Sequence, residues 1–341
     1  KIITDLDLLY LSNSKFRSIV VTGSNGKSTT CKIIYHLLKK NGYKVVLGGN
    51  IGIPILKFSP SRNIFFVIEA SSFQLSHSKF IQPNFALLLN ISNDHLDWHG
   101  SMKEYVNSKF KIFDLQTKTD YAIINPVLKK RFKKRYLGKL VSLKKHKYKK
   151  IKSKMINEYL KSNMNDENMN FAYSLSKIIK ISDKNFVDSM NSFSGLPHRF
   201  EIFLKKKNIT FINDSKATSF MASKFALASK RNIYWILGGV PKEKDKIILR
   251  NLKKNIIKTY IIGKNVNFFK NQMKYNKVKM FITKNLKNSV IKVLKDIKIY
   301  QKPNNTVLLS PSAASFDQFK NFENRGEEFK RFSKKYANKF I

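Results

Sequence analysis

Acidic residues are scarce in this chain: 22 Asp and Glu stand against 66 Lys and Arg in 341 residues, a formal charge of +44. Each carboxylate at a strand end therefore carries weight as a candidate metal ligand. Cysteine is scarcer still; Cys31, the one thiol, excludes an internal disulfide and fits a reducing compartment. No apolar run approaches the ~18 residues that span a membrane, and no signal peptide opens the chain. A soluble, cytoplasmic protein is expected. Its length suggests roughly two domains, each able to bury a core, and 42% hydrophobic residues is ordinary for a globular protein.

Such an excess of positive charge raises nucleic acid or an anionic membrane as a partner. The distribution argues otherwise, because Lys is scattered through nearly every segment together with Asn and Ile, as codon bias at permissive surface positions would leave it. The one dense run, residues 128–155, reads as a solvated surface insertion.

Short apolar runs alternate with helical-period segments, the pattern of a mostly parallel sheet flanked by helices. RSIVVTG (17–23), YKVVLGG (43–49), NIFFVIEA (63–70) and NFALLLNIS (84–92) read as strands, with helices over 27–41 and 102–116. Helical segments follow near 168–181 and 184–193. GLPHRFE (195–201) then supplies a breaker suited to a domain junction. Beyond it the alternation restarts, with strands at ITFINDS (209–215), IYWILGG (233–239), KTYIIG (258–263), VKMFIT (278–283) and TVLLSP (306–311). The fold class is α/β: a phosphate-loop ATP-binding domain followed by a Rossmann-like α/β domain.

The chemistry starts at VVTGSNGKSTT (20–30), where a glycine loop leads from a strand into a helix. Gly26-Lys27-Ser28 matches the end of the phosphate-loop pattern, but Val21 stands where its first glycine belongs. A helix opening here aims its N-terminal N–H groups at phosphates. Lys27 would neutralise charge on a transferred phosphoryl group, and Ser28 would meet Mg²⁺. Glu69 closes one strand and Asn93-Asp94-His95 follows another, at the strand ends where open α/β sheets bind ligands. A structural role for His95 alone is an even alternative. In INDSKAT (212–218) Asp214 suits a ribose or a metal-bound water, and Lys216 with Arg199 suits phosphates, with a helix cap as the competing reading. The turn starting at Ser310 is rich in Ser and Ala and can admit a small anion.

TGSNGKST, EASSFQLS (69–76), NDHLDWHGSMKEYVNSKFKIF (93–113), GLPHRFE, INDSKAT and LLSPSAASFDQFKNFENRG (308–326) together resemble the Mur ligases, whose shortened phosphate loop this is. The resemblance runs from Thr4 onward, thin only in the Lys-rich stretch and between Ile247 and Asn304. It is narrowest toward the members that add D-glutamate to UDP-N-acetylmuramoyl-L-alanine in peptidoglycan synthesis. It implies an ATP- and Mg²⁺-dependent amide ligase working through an acyl phosphate.

By that resemblance Gly23, Ser24, Asn25, Gly26, Lys27, Ser28 and Thr29 hold ATP, with Asn165 and Asn168 as the adenine pair and Arg199 and Asp214 as further nucleotide contacts. Ser28, Glu69, His95 and a carbamylated Lys109 form the metal site. An unmodified surface lysine is the alternative for Lys109. Asn50, Ser71 and Gln74 face the muramoyl substrate; Thr218, Lys242, Ser315 and Phe322 serve D-glutamate; Lys27, Lys109, His95 and Lys216 are catalytic. The implied partners are the two substrates, with no nucleic acid or membrane, for a monomer. Met164 stands where the family has His, and GGVPKEKD (238–245) replaces a Gly-Asp-Gly-Lys turn. The resemblance also implies that the family's N-terminal UDP-binding domain is lacking, leaving residues 1–16 as a linker remnant. The ATP-binding domain is expected over 17–197 and the glutamate-binding domain over 198–341. A folylpolyglutamate synthetase-like ligase, a truncated ligase without turnover and a nucleic-acid-binding protein are the rivals.

Overall fold

The computed structural model describes residues 2–12, 16–133, 135–143, 145–193, 195–242 and 245–341. They form two compact units, Lys1–Phe193 and Ser194–Ile341.

In the first unit the apolar runs become β1 (Arg17–Thr22), β2 (Lys44–Gly49), β3 (Ile64–Glu69), β4 (Phe85–Leu88), β5 (Tyr121–Ile124) and β6 (Lys139–Ser142). They lie in the order β2-β3-β1-β4-β5-β6, every neighbouring pair parallel. Ile19, Val20, Val21, Val67 and Ile68 are wholly buried. A parallel strand covered on both faces is apolar throughout rather than alternating, which explains those sequence runs. Nine α-helices accompany the sheet among the described residues. They are α1 (Asp5–Leu11), α2 (Lys27–Lys40), α3 (Ser72–His77), α4 (Leu96–His99) and α5 (Met102–Phe110), then α6 (Lys145–Ser153), α7 (Glu158–Lys161), α8 (Asp166–Ile178) and α9 (Asp183–Asn191).

Two segments depart from expectation. Within the expected linker remnant, residues 5–11 are a helix opened by a Thr4–Asp7 capping box. Leu6 and Leu9 join the core, and Asp7 Oδ1 accepts the Lys79 and Phe80 N–H groups at 2.8 Å each. Residues 1 and 13–15 of that segment lie outside the described residues. The Lys-rich run is more than a solvated insertion. It supplies β6, which pairs with β5, and buries Tyr136, Leu143, Tyr148, Ile151 and Met155. Positions 134 and 144 lie outside the described residues.

The second unit carries β7 (Glu201–Lys206), β8 (Ile209–Asn213), β9 (Ile233–Gly238), β10 (Ile256–Ile262), β11 (Met280–Lys284) and β12 (Asn305–Leu309). Their order is β11-β10-β9-β12-β8-β7, parallel except for the β7–β8 hairpin. Helices α10 (Phe220–Ser229), α11 (Val266–Tyr275), α12 (Leu286–Tyr300) and α13 (Phe322–Phe340) flank it. The division before residue 194 leaves Pro197 with the second unit, ahead of the expected boundary. There the Lys216 N–H donates to the His198 carbonyl and the Phe200 N–H to Asp214 Oδ1, fastening PHRF to the turn that follows β8. Among the described residues no helix is long and apolar enough to cross a membrane.

Candidate active site

The loop between β1 and α2 has the form that phosphate binding requires. Gly26 takes φ +84°, and a Cβ there would lie 2.3 Å from Asn168 Oδ1, so only glycine lets α8 approach this closely. A Cβ on Gly23 would lie 2.9 Å from Leu89 Cβ. Lys27 Nζ folds back onto the carbonyls of Gly23 (2.7 Å) and Ser24 (3.0 Å). Burial lowers its pKa, opposed by Glu69 and Asp94. Ser24 Oγ shares a hydrogen bond with the Tyr105 hydroxyl at 2.8 Å and accepts the Ser92 N–H at 2.9 Å. Asn25 is exposed, Ser28 half-buried in the first turn of α2, and Thr29 buried.

Lys109 resolves one alternative, because it is buried (1% exposed) rather than on the surface. Its ammonium donates to the Gly23 carbonyl at 3.0 Å and lies 4.7 Å from the centre of the Tyr105 ring. Burial first, then the charge of Lys27, pushes its pKa down to about 7. A large share of the side chain is therefore a neutral amine near neutrality, the form that adds CO₂. Glu69, at the end of β3, is 3% exposed. Its Oε1 accepts the Asn50 amide at 3.3 Å, and its Oε2 is buried with no hydrogen-bond partner. An orphan carboxylate oxygen is costly unless something pairs with it, and it suits a divalent cation beside the loop.

His95 is placed differently. At φ +52° it caps α4, with Nε2 3.5 Å from Asp94 Oδ2 and its ring 4.8 Å from Phe73. No group of three or more His, Cys, Asp or Glu side chains is placed to hold a metal among the described residues. A metal site here would draw on Glu69, hydroxyl groups and Lys109, with His95 as a further donor, and its oxygen atoms fit a hard, oxygen-seeking ion once Lys109 carries a carboxylate-like group. Asn50 is tied twice to Glu69, through its amide and through its backbone N–H to the Glu69 carbonyl. Ser71 and Gln74 form the capping box of α3, and Gln74 Nε2 reaches Asp5 at 3.1 Å. Asn165 Nδ2 donates to the Tyr159 carbonyl, and Asn168 Oδ1 accepts the Thr30 hydroxyl at 3.2 Å. Asn168 thus meets the phosphate-loop helix, and its Nδ2 donates to Asn165 Oδ1 at 3.3 Å, so the two asparagines stand together. The Met164 side chain lies outside the described residues.

In the second unit Asp214 is buried where β8 ends. Oδ1 accepts the Phe200 N–H at 3.0 Å and Oδ2 the Ser310 hydroxyl at 2.7 Å. Burial outweighs both bonds and raises its pKa to about 7, with Arg199 pulling the other way. Lys216 Nζ stands 5.1 Å from the centre of the Phe322 ring. Thr218 is half-buried, Lys242 exposed and Ser315 buried. Positions 243 and 244 of the altered turn lie outside the described residues, but Val240 and Ala314 exchange two 2.9 Å backbone bonds beside it.

Asp94, which the sequence offered beside His95, acts electrostatically on Lys27, Tyr105 and Lys109. Sequence reasoning missed two further residues. His99 packs against Phe73, Trp98 and Tyr105. Arg325 is 1% exposed and donates to the Ser215 hydroxyl (3.0 Å), the Ser215 carbonyl (2.8 Å) and the Ala313 carbonyl (3.0 Å), joining the ends of β8 and β12.

Residues 21–191 match the Mur ligase middle domain. The chain is 36% identical over 98% of its length to a UDP-N-acetylmuramoylalanine–D-glutamate ligase of Rickettsia prowazekii, covering 80% of that protein. The chain belongs to the Mur ligase family. A ligase of the same description from Buchnera aphidicola is 35% identical over 98% of the chain and 78% of its own length. Among solved structures, the Mur ligase MurF of Thermotoga maritima, in complex with ADP, superposes with a TM-score of 0.64 at 19% identity, over 100% of this chain and 86% of that one. MurF of Acinetobacter baumannii gives 0.71 at 15%, over 95% and 79%. At those identities the structural likeness shows the fold, two α/β units with mainly parallel sheets.

Proposed function

We propose that this Mur ligase joins D-glutamate to the alanyl carboxylate of UDP-N-acetylmuramoyl-L-alanine, using ATP, in peptidoglycan synthesis. The observation that carries the reading is the grouping of half-buried Lys27, buried Lys109 and the unpaired Oε2 of Glu69 at a phosphate loop, in a chain alike over 98% of its length to ligases of that description. A substrate carboxylate oxygen attacks the γ-phosphorus; the bond to ADP breaks and an acyl phosphate forms. The D-glutamate amine then adds to the acyl carbon. The tetrahedral intermediate expels phosphate, a proton leaves the nitrogen, and an amide remains.

Lys27 neutralises charge on the phosphoryl group in transit. Mg²⁺ would be held by Glu69, the Ser28 hydroxyl and a carbamylated Lys109, with His95 as a further ligand, and would supply charge neutralisation. Asn50, Ser71 and Gln74 serve the muramoyl substrate. Asn165, Asn168, Arg199 and Asp214 serve the nucleotide, and Lys216, Thr218, Lys242, Ser315 and Phe322 the acyl phosphate and D-glutamate. Catalysis then rests on positioning and electrostatics.

The test is phosphate release with MgATP, UDP-N-acetylmuramoyl-L-alanine and either D- or L-glutamate. Release is expected with D-glutamate alone and is abolished by Lys27→Ala. Release that needs L-glutamate and a folate instead would favour the folylpolyglutamate synthetase-like reaction.

A further inference from the structure

We propose that Glu167 is a positioning residue for the phosphate loop, acting through Asn90; the proposal rests on the nucleotide site described above. Three side chains outside the sequence-predicted site form a chain of hydrogen bonds across the strand ends: Asn125 after β5, Glu167 in the first turn of α8, and Asn90 after β4. Asn90 pairs with the Asn25 peptide in both directions. The Asn25 N–H donates to Asn90 Oδ1 at 2.8 Å, and Asn90 Nδ2 donates to the Asn25 carbonyl at 3.1 Å. The Ser24 N–H adds a bond to the Asn90 carbonyl at 2.9 Å. The exposed tip of the loop is thereby held as if it were paired to a strand.

These contacts fix which way the Asn90 amide points, and its second hydrogen goes to Glu167 Oε2 at 2.9 Å. Asn125 is oriented in the same manner. Its Oδ1 accepts the Val127 N–H at 3.0 Å, which turns its Nδ2 to Glu167 Oε1. Two amide donors converge on one residue, and an ionised carboxylate offers an acceptor to each with no donor of its own. A phosphate loop binds well when its N–H groups are already aimed; disorder left in the free loop must be removed on binding and weakens it. Glu167 therefore preorganises the loop through Asn90.

Donor and acceptor counting supplies the test. In Glu167→Gln the new side-chain NH₂ group faces another NH₂ group. Adding Asn125→Asp restores the pattern: one oxygen of the new carboxylate accepts the Val127 N–H, the other accepts from the amide nitrogen introduced at position 167, and the amide oxygen introduced there serves Asn90. Glu167→Gln and Asn90→Ala are each expected to weaken binding of a fluorescent ADP analogue and raise the KM for ATP about tenfold, the scale of one charge-assisted bond. The KM for D-glutamate should stay at its wild-type value. The double variant Asn125→Asp/Glu167→Gln should recover to within about threefold of wild type. A tie serving only the fold would lower the melting temperature and leave ADP affinity untouched, and that result overturns the proposal, as does a double variant no better than Glu167→Gln. Wild-type protein that binds no nucleotide overturns both readings, whereas wild-type binding that survives Glu167→Gln overturns this one alone.

Discussion

Lys109 shows how one residue can be costly to the fold and needed by the site. Its ammonium is buried against Tyr105 with Lys27 near by, and its pKa falls to about 7. In the unfolded chain the same group titrates near ~10.4. Between those values the unfolded chain keeps a proton that the folded site sheds, so stability rises with pH across this window, and the full penalty is present below about 7. In CO₂-depleted buffer Lys109→Met should raise the melting temperature at about pH 6.5, and the gain should shrink toward about pH 10. Its ligase activity should fall at least ~10–100-fold, the usual effect of disturbing a metal's surroundings. A thermal gain independent of pH would show that the Lys109 charge is not what burial penalises.

At the scale of elements, α1 is fastened by one buried carboxylate. Asp7 is 0% exposed and accepts two backbone N–H groups from the turn after α3. Asp7→Ala leaves both donors unpaired and is expected to cost roughly 2–3 kcal/mol, read as a lower urea midpoint for the first unit; an unchanged midpoint would mean that water replaces the carboxylate. This helix was not legible in the sequence, being a short acidic and leucine-rich stretch where a linker was expected. The strands that flank the phosphate loop were legible, because SIVVT and FFVIE are covered on both faces and stay apolar throughout. β6 was hidden, since KLVS is short and edged with lysine inside a Lys-rich run. Among site residues, the loop, Glu69 and Lys109 stood out by motif. The Asn90–Glu167 pair did not, because Asn and Glu are ordinary surface residues and these two lie 77 positions apart.

Across the whole molecule, 66 basic residues share 22 acidic partners, so most cations face other cations. Self-repulsion of this kind weakens as salt shortens the screening length from about 30 Å at about 0.01 M to about 8 Å at about 0.15 M. The melting temperature should therefore climb over that range of NaCl. A fall would mean that ion pairs such as Lys258–Asp296, at 2.8 Å, outweigh the net charge. The molecule also has one thiol, and that makes it its own reporter. Cys31 is fully buried on α2, one turn beyond Lys27, and burial holds its thiol well above the ordinary range. A thiol reagent can reach it only when that helix opens. The labelling rate thus becomes a clock for local opening beneath the phosphate loop, and ATP should slow it in proportion to how firmly the bound nucleotide shuts the helix.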